Sequence, residues 1–265
     1  MPLTSATHPT DLSPARIGQA LCTARYGHSL RVLHETDSTN DEARADAEAG
    51  APRGYLVLAD RQRRGRGSQG RAWSSPPGSD LYFSIVERFA MQSARLPALT
   101  LAVGVGVAEA VAALAGERHR SLVKWPNDVW LGGRKCAGIL VEASANPAEA
   151  QTVIIGIGLN LNRLSWSPEI RQSATSLRQI TGQVYDRAEA LARTLQAVEG
   201  WVDRFIAEGA PPVVEALRER LALRGRPVSC GEVSGTLLEV ADSGALLIET
   251  ESGLKSVSFG TLIPA

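Results

Sequence analysis

The chain has 265 residues, 44% apolar and 21% charged, which suits one large folded domain or a large one with a small companion. Its 28 basic and 28 acidic side chains balance, which argues against a protein that coats nucleic acid through bulk positive charge, though a local basic patch remains compatible. Cys22, Cys136 and Cys230 are far apart with no CxxC pair, so no zinc or disulfide framework is indicated, and reduced thiols in a cytoplasmic protein are the simplest account.

Residues 1–28 contain Pro2, Pro9 and Pro14, with a short helical stretch at 14–24. No basic stretch followed by an apolar run marks a secretory signal. Residues 30–34 (LRVLH) read as a strand. Ser38 and Thr39 open an alanine-rich helix that stops at Gly50. Residues 55–60 are a buried strand, 61–72 a loop, and 80–87 another strand. The apolar run at 97–114 reads as a buried helix; it carries Glu109 and interior glycines, and a membrane span wants roughly 20 apolar residues. Residues 122–125 form a strand stopped by Pro126. Strands at 129–131 and 135–142 are joined by Gly132-Gly133-Arg134, a hairpin signal. A strand follows at 153–161, a long helix at 186–207 and a further helical stretch at 212–223.

After Gly225 short β-rich runs alternate with DSG and ESG turns, which suggests a small antiparallel barrel. A boundary falls near 221–224. Ahead of it, hairpins mixed with helices suggest an antiparallel or mixed sheet backed by helices, not the βαβ alternation of a Rossmann domain.

Four segments carry chemistry. Residues 62–73 (QRRGRGSQGRAW) hold three glycines and four arginines. Glycines let backbone amides approach an anion, and arginines offer forked donors to carboxylate or phosphate. The same composition also fits an RNA-touching segment or a solvated turn. Ser38-Thr39-Asn40 can cap a helix or face a substrate amide. Lys135, in GGRKCAG, can reach a ligand on the sheet or point to solvent; Asp128, in KWPND, can be a turn residue. Residues 156–162 (GIGLNLN) lack the third glycine of a dinucleotide fingerprint, and no P-loop exists. Their glycines suit a strand passing close to a flat ligand, or a bulge.

Taken in order, STN, QxxGRGxxGRxW, KWPND, GRKCAGILVE and GIGLNLN resemble the catalytic domain of biotin–protein ligases, over residues 30–162 and again in the C-terminal region. The resemblance implies an α+β fold: a class II aminoacyl-tRNA synthetase-like mixed sheet with helices on one side, plus a small C-terminal Src-homology-3-like β barrel. It divides the chain into a short extension (1–29), a catalytic domain (30–222) and the barrel (223–265). It implies that biotin and ATP, with Mg²⁺ held mainly by the ATP phosphates and no metal site in the protein, give biotinyl-5′-AMP. The biotinyl group then passes to a lysine of the biotin carboxyl carrier protein of acetyl-CoA carboxylase.

By the same resemblance Ser38, Thr39, Asn40 and Gln62 line the biotin pocket. Gly65, Arg66, Gly67, Ser68, Arg71 and Trp73 belong to a loop that orders over the adenylate. Lys135 meets the carboxylate and α-phosphate, Asp128 orients the acceptor lysine, Gly138 lets the strand approach the ligand, and Asn160 lies near the adenosine. Arg66 and Lys135 would offset the repulsion between carboxylate and polyphosphate, about 4 kcal/mol for two unit charges 4 Å apart at an effective dielectric near 20. Ser68 stands where some members carry arginine, so looser retention of the adenylate is expected. Repressor members carry a winged helix-turn-helix first. Only 29 residues precede Leu30 here, so the expectation is a monofunctional, cytoplasmic ligase that binds neither DNA nor membrane, with a homodimer along a sheet edge allowed. A lipoate or octanoate ligase of the same fold and a non-catalytic RNA-binding protein are the competing readings.

Overall fold

A computed structural model describes residues 10–89, 95–144 and 151–265; the first nine residues of the expected extension lie outside these. In chain order the first part comprises α1 (Pro14–Ala20), β1 (Leu30–Thr36), α2 (Thr39–Glu48), β2 (Leu56–Gln62), β3 (Leu81–Phe89), α3 (Leu96–Ala115), β4 (Ser121–Lys124), β5 (Asp128–Leu131), β6 (Arg134–Ala143), β7 (Gln151–Leu159), α4 (Leu177–Thr181), α5 (Arg187–Glu208) and α6 (Pro211–Arg220).

The seven strands form one sheet in the order β1-β2-β3-β7-β6-β5-β4. β1 and β2 are parallel, with α2 as the crossover that parallel neighbours need, and every other neighbouring pair is antiparallel. The β5–β6 hairpin turns on Gly132 and Gly133, at φ 57° and 74°, a pair of left-handed positions that glycine occupies without a Cβ clash.

Side chains alternate across the sheet, so its two faces can be read from the strands. Leu56, Leu58, Ile85, Val153 and Ile155 join a core cluster with α3 and α5. Val57, Val86 and Ile154, at the intervening positions, pack with Ala43 and Ala47 of α2. The resemblance implied helices on one side; α2 instead covers part of the opposite face, because β2, β3 and β7 are apolar on both faces. α3 is apolar all round because it is enclosed. It is long and apolar enough to cross a membrane by composition, yet a Cβ on its Gly106 would lie 2.9 Å from Val198 Cα of α5.

Two helix ends and one short helix differ from the sequence reading. α1 stops at Ala20, because the Glu199 carboxylate accepts from the amides of Ala24, Arg25 and Tyr26 and holds that segment as a turn. α6 stops at Arg220, because the next residues pair with β4: Ala222 N donates to Val123 O at 2.9 Å. α4 escaped notice because five residues carry too little periodicity. The described part of the extension is core structure, with Leu12, Ile17 and Tyr26 fully buried.

The C-terminal strands β8 (Pro227–Cys230), β9 (Val233–Val240), β10 (Leu246–Thr250), β11 (Gly253–Val257) and β12 (Leu262–Pro264) form an antiparallel sheet in the order β11-β10-β9-β8-β12. Its Val228, Leu237 and Leu246 belong to the same core cluster as α3 and α5. Trp125 Nε1 donates to Gly244 O at 3.0 Å across that junction.

Candidate active site

On the face that α2 covers only in part, Ser84, Gly156, Gly158 and Gly138 replace large residues. A cavity of about 300 Å³ opens there, within the range of small-molecule sites. The N-terminus of α2, the 61–75 segment, the β4–β5 turn, β6 and the end of β7 wall it.

Ser38 sits at the N-cap of α2, but its side chain makes no capping bond. Gln62 serves that end instead: its Oε1 accepts from Thr39 N at 2.9 Å, while its Nε2 donates to Ser75 Oγ at 2.9 Å. Asn40 donates to Glu142 Oε2 at 2.8 Å and accepts from Ser84 Oγ at 2.6 Å. Gly156 is required beneath it, since a Cβ there would collide with the Asn40 amide. One polar chain thus joins α2, β2, β3 and β6 around the cavity floor.

The 61–73 segment is folded as an irregular hairpin that continues β2. Bridges pair Gln62 with Ser75 and Arg66 with Ala72, and Trp73 N donates to Gly65 O at 2.8 Å. A Cβ on Gly65 would lie 2.7 Å from Trp73 O, so close crossing of the two arms needs glycine. The tip is pinned from two directions: Asn127 Nδ2 donates to Ser68 Oγ at 3.2 Å, and Thr261 Oγ1 of the C-terminal sheet donates to Gln69 Oε1 at 2.9 Å. The Ser68 side chain thus helps to hold the tip of the hairpin.

The arginines divide. Arg61, Arg63 and Arg64 turn away to Glu35 and Asp37, exposed pairs of little energetic weight. Arg66 and Arg71 line the cavity. Arg66 grips Asp41 of α2 through two bonds of 2.5 and 2.7 Å, which holds the Asp41 carboxyl below its ordinary range, and lies 3.5 Å from Glu142.

Lys135 Nζ lies 2.5 Å from Asp128 Oδ1 and 5.1 Å from the centre of the Trp73 ring. Lys124 Nζ stands 3.8 Å from Asp128 Oδ2, and burial lowers its pKa. Two cations thus share one carboxylate, leaving net positive charge for an anionic ligand. Gly138 and Gly158 were expected to admit a ligand; the indole of Trp73 occupies that space, 2.8 Å from where a Gly138 Cβ would be. Trp73 Nε1 is buried without a hydrogen-bond partner among the described residues. Asn160 Nδ2 donates to Thr175 O at 2.9 Å and so fixes the cavity's far wall.

Residues 32–160 match the biotin/lipoate A/B protein ligase family. The bifunctional ligase/repressor BirA of Bacillus spizizenii is 35% identical over 94% of this chain and 78% of its own length. The chain belongs to the biotin/lipoate A/B protein ligase family. The biotin–[acetyl-CoA-carboxylase] ligase of Paracoccus denitrificans is 33% identical, over 84% of this chain and 95% of that protein. The solved biotin protein ligase of Aquifex aeolicus in complex with biotin and ATP aligns at a TM-score of 0.81 with 32% identity, covering 90% of this chain and all of that one. In this family member the structure brings together Ser38, Thr39, Asn40, Gln62, Arg66, Gly67, Ser68, Arg71, Trp73, Asp128, Lys135, Gly138 and Asn160; Gly65 alone stands behind the wall. The sequence reading did not single out Lys124, Asn127, Trp130, Arg163 or Trp166. Three of these lie in or beside KWPND, and Arg163 follows GIGLNLN directly, so adjacency was the available signal.

Proposed function

We propose that this chain is a biotin–protein ligase. In the first step a biotin carboxylate oxygen attacks the α-phosphorus of ATP and pyrophosphate leaves, giving biotinyl-5′-AMP. In the second, the neutral ε-amine of a lysine on the biotin carboxyl carrier protein of acetyl-CoA carboxylase attacks the acyl carbon. An amide forms, AMP leaves and the amine gives up a proton. The observation that carries this reading is the meeting of Lys135, Lys124, Arg66 and Arg71 above the glycine-lined strands, in a chain so similar to a ligase bound to biotin and ATP.

Ser38, Thr39, Asn40 and Gln62 provide polar contacts for the ureido end of biotin. Lys135 and Arg66 take the carboxylate and α-phosphate, where cations stabilise charge that builds in the transition state. Asn160 flanks the adenosine, and Asp128 orients the acceptor amine after substrate has drawn Lys135 from it. Mg²⁺ is assigned to the nucleotide phosphates, which offer it oxygen ligands.

The catalytic sheet is read as class II synthetase-like and the C-terminal sheet as a Src-homology-3-like barrel, with a catalytic unit at 30–222 and the barrel at 223–265. A cytoplasmic setting, sheet-edge dimerisation and the absence of DNA binding complete the proposal.

Biotin-dependent ATP–pyrophosphate exchange tests it. Wild type exchanges label, and Lys135→Ala loses at least about a hundredfold, as expected for removal of a charge contact to the transition state. No exchange by folded wild type overturns the enzymatic reading. Greater incorporation of lipoate than of biotin into purified carrier protein replaces it with the lipoate reading.

A further inference from the structure

Arg163 is buried, with 6% of its side chain exposed, where a guanidinium is costly unless fully paired. Every arm of its fork is used. Nε donates to Asp80 Oδ2 at 2.8 Å, Nη1 to Ser74 Oγ at 3.3 Å, and Nη2 to Ser74 O at 2.8 Å and Tyr82 Oη at 3.0 Å. Its flat face lies 4.6 Å from the ring centre of Trp166. Asp80 is also fully buried, and its other oxygen accepts from Leu161 N at 2.9 Å.

Ser74 directly follows Trp73, and Leu161 directly follows Asn160. The fork therefore joins the exit of the arginine-glycine segment to the end of β7. Trp73 and Trp166 both wall the cavity. A lysine at 163 would neutralise Asp80, but its three donors sit on one nitrogen and cannot span Asp80, both Ser74 oxygens and Tyr82 as the planar fork does.

We propose that Arg163 is a positioning residue for the ligase reaction: it clamps the exit of the 61–73 segment to the end of β7 and so sets where Trp73 and Trp166 stand against the substrates. This rests on the ligase reading of the cavity. A residue that served only to neutralise Asp80 would be replaceable by lysine.

Arg163→Lys separates the two roles while keeping a cation beside Asp80. Two measurements are made on the full-length protein: hydrogen exchange of the amides of Gly67 and Trp73, both bonded within the hairpin, and kcat and KM in ATP–pyrophosphate exchange. Loss of a charged hydrogen bond predicts about tenfold faster amide exchange and a KM for biotin or ATP raised about tenfold, with kcat within about threefold. Arg163→Met gives the same pattern, or a stronger one, if it folds. Arg163→Lys indistinguishable from wild type in both measurements overturns the proposal, as does a fall in kcat with KM and amide exchange unmoved. If folded wild type shows no pyrophosphate exchange, the ligase reading falls, and the amide exchange still decides whether Arg163 holds the hairpin.

Discussion

The two faces of the seven-stranded sheet are made by the same strands under opposite rules. Toward α3 and α5, β2, β3 and β7 present Leu56, Leu58, Ile85, Val153 and Ile155, and helices close over them. One residue along each strand, the other face begins with Val57, Val86 and Ile154 under α2 and then changes to Ser84, Gly156 and Gly158. The first face gains from burying apolar area. The second gives up that area so that Asn40, Trp73 and a charged hairpin can approach the backbone. Glycine serves both sides: in the helix layer that seals the first face Gly106 of α3 lets α5 approach, while on the second Gly156 and Gly158 of the sheet itself admit the parts of a site.

Gly106 tests the closed face. A Cβ there meets backbone, Val198 Cα at 2.9 Å and Ala197 O at 3.0 Å, so neither neighbour can swing aside. Gly106→Val should lower unfolding stability by about 3 kcal/mol, in the range for overpacked cores. Activity per folded molecule should be unchanged. Urea titration showing a loss below about 0.5 kcal/mol would mean that α3 and α5 separate freely, against a sealed face.

Gly158 tests the open face. A Cβ there would run into the Trp73 indole, a side chain of the hairpin and not backbone. Gly158→Ala should raise KM for biotin or ATP about tenfold, equivalent to about 1.4 kcal/mol, and change stability by less than about 1 kcal/mol. The reverse outcome, stability lost with kinetics intact, would make Trp73 a core residue and erase the contrast between the faces.

Much of the fold was legible because strand alternation and helix periodicity are local. The β5–β6 hairpin followed from Gly132-Gly133, and the start of α5 from Asp186, whose carboxylate accepts from Ala188 N and Glu189 N. The end of α1 was not legible, because it is set by Glu199, more than 170 residues away. The site followed the same division. Residues inside dense motifs, such as Arg66 and Lys135, were found. Arg163 was missed, because its meaning comes from Asp80 and Ser74, which adjoin it only after β3 and β7 pair. The glycines of 156–158 were read as room for something flat; the Asn40 amide lies against Gly156 and the Trp73 indole against Gly158, neither pairing legible from spacing.

Lys124 gives the finest test of the open face, because the effect is confined to one limb of a pH profile. Its side chain is only 12% exposed, its Nζ is 3.8 Å from Asp128 and it lies 5.6 Å from the Trp130 ring centre. Burial lowers its pKa from the ordinary 10.5; Asp128 opposes that shift and Lys135 adds to it. A lysine whose folded pKa lies below its unfolded value binds its proton less tightly when folded. This residue therefore costs stability while protonated, and that cost fades as pH rises through the folded pKa toward 10.5. If the ammonium helps hold the nucleotide, the KM for ATP should climb on the alkaline side before an unperturbed lysine would titrate. The rise should stay below about tenfold, because the Arg66 guanidinium, its pKa raised by the bonds to Asp41, keeps its charge there. Lys124→Arg keeps the charge through that range and should flatten the limb. Superimposable KM profiles for the two proteins between pH 7 and 10 would show that Lys124 closes the wall of the cavity without holding substrate.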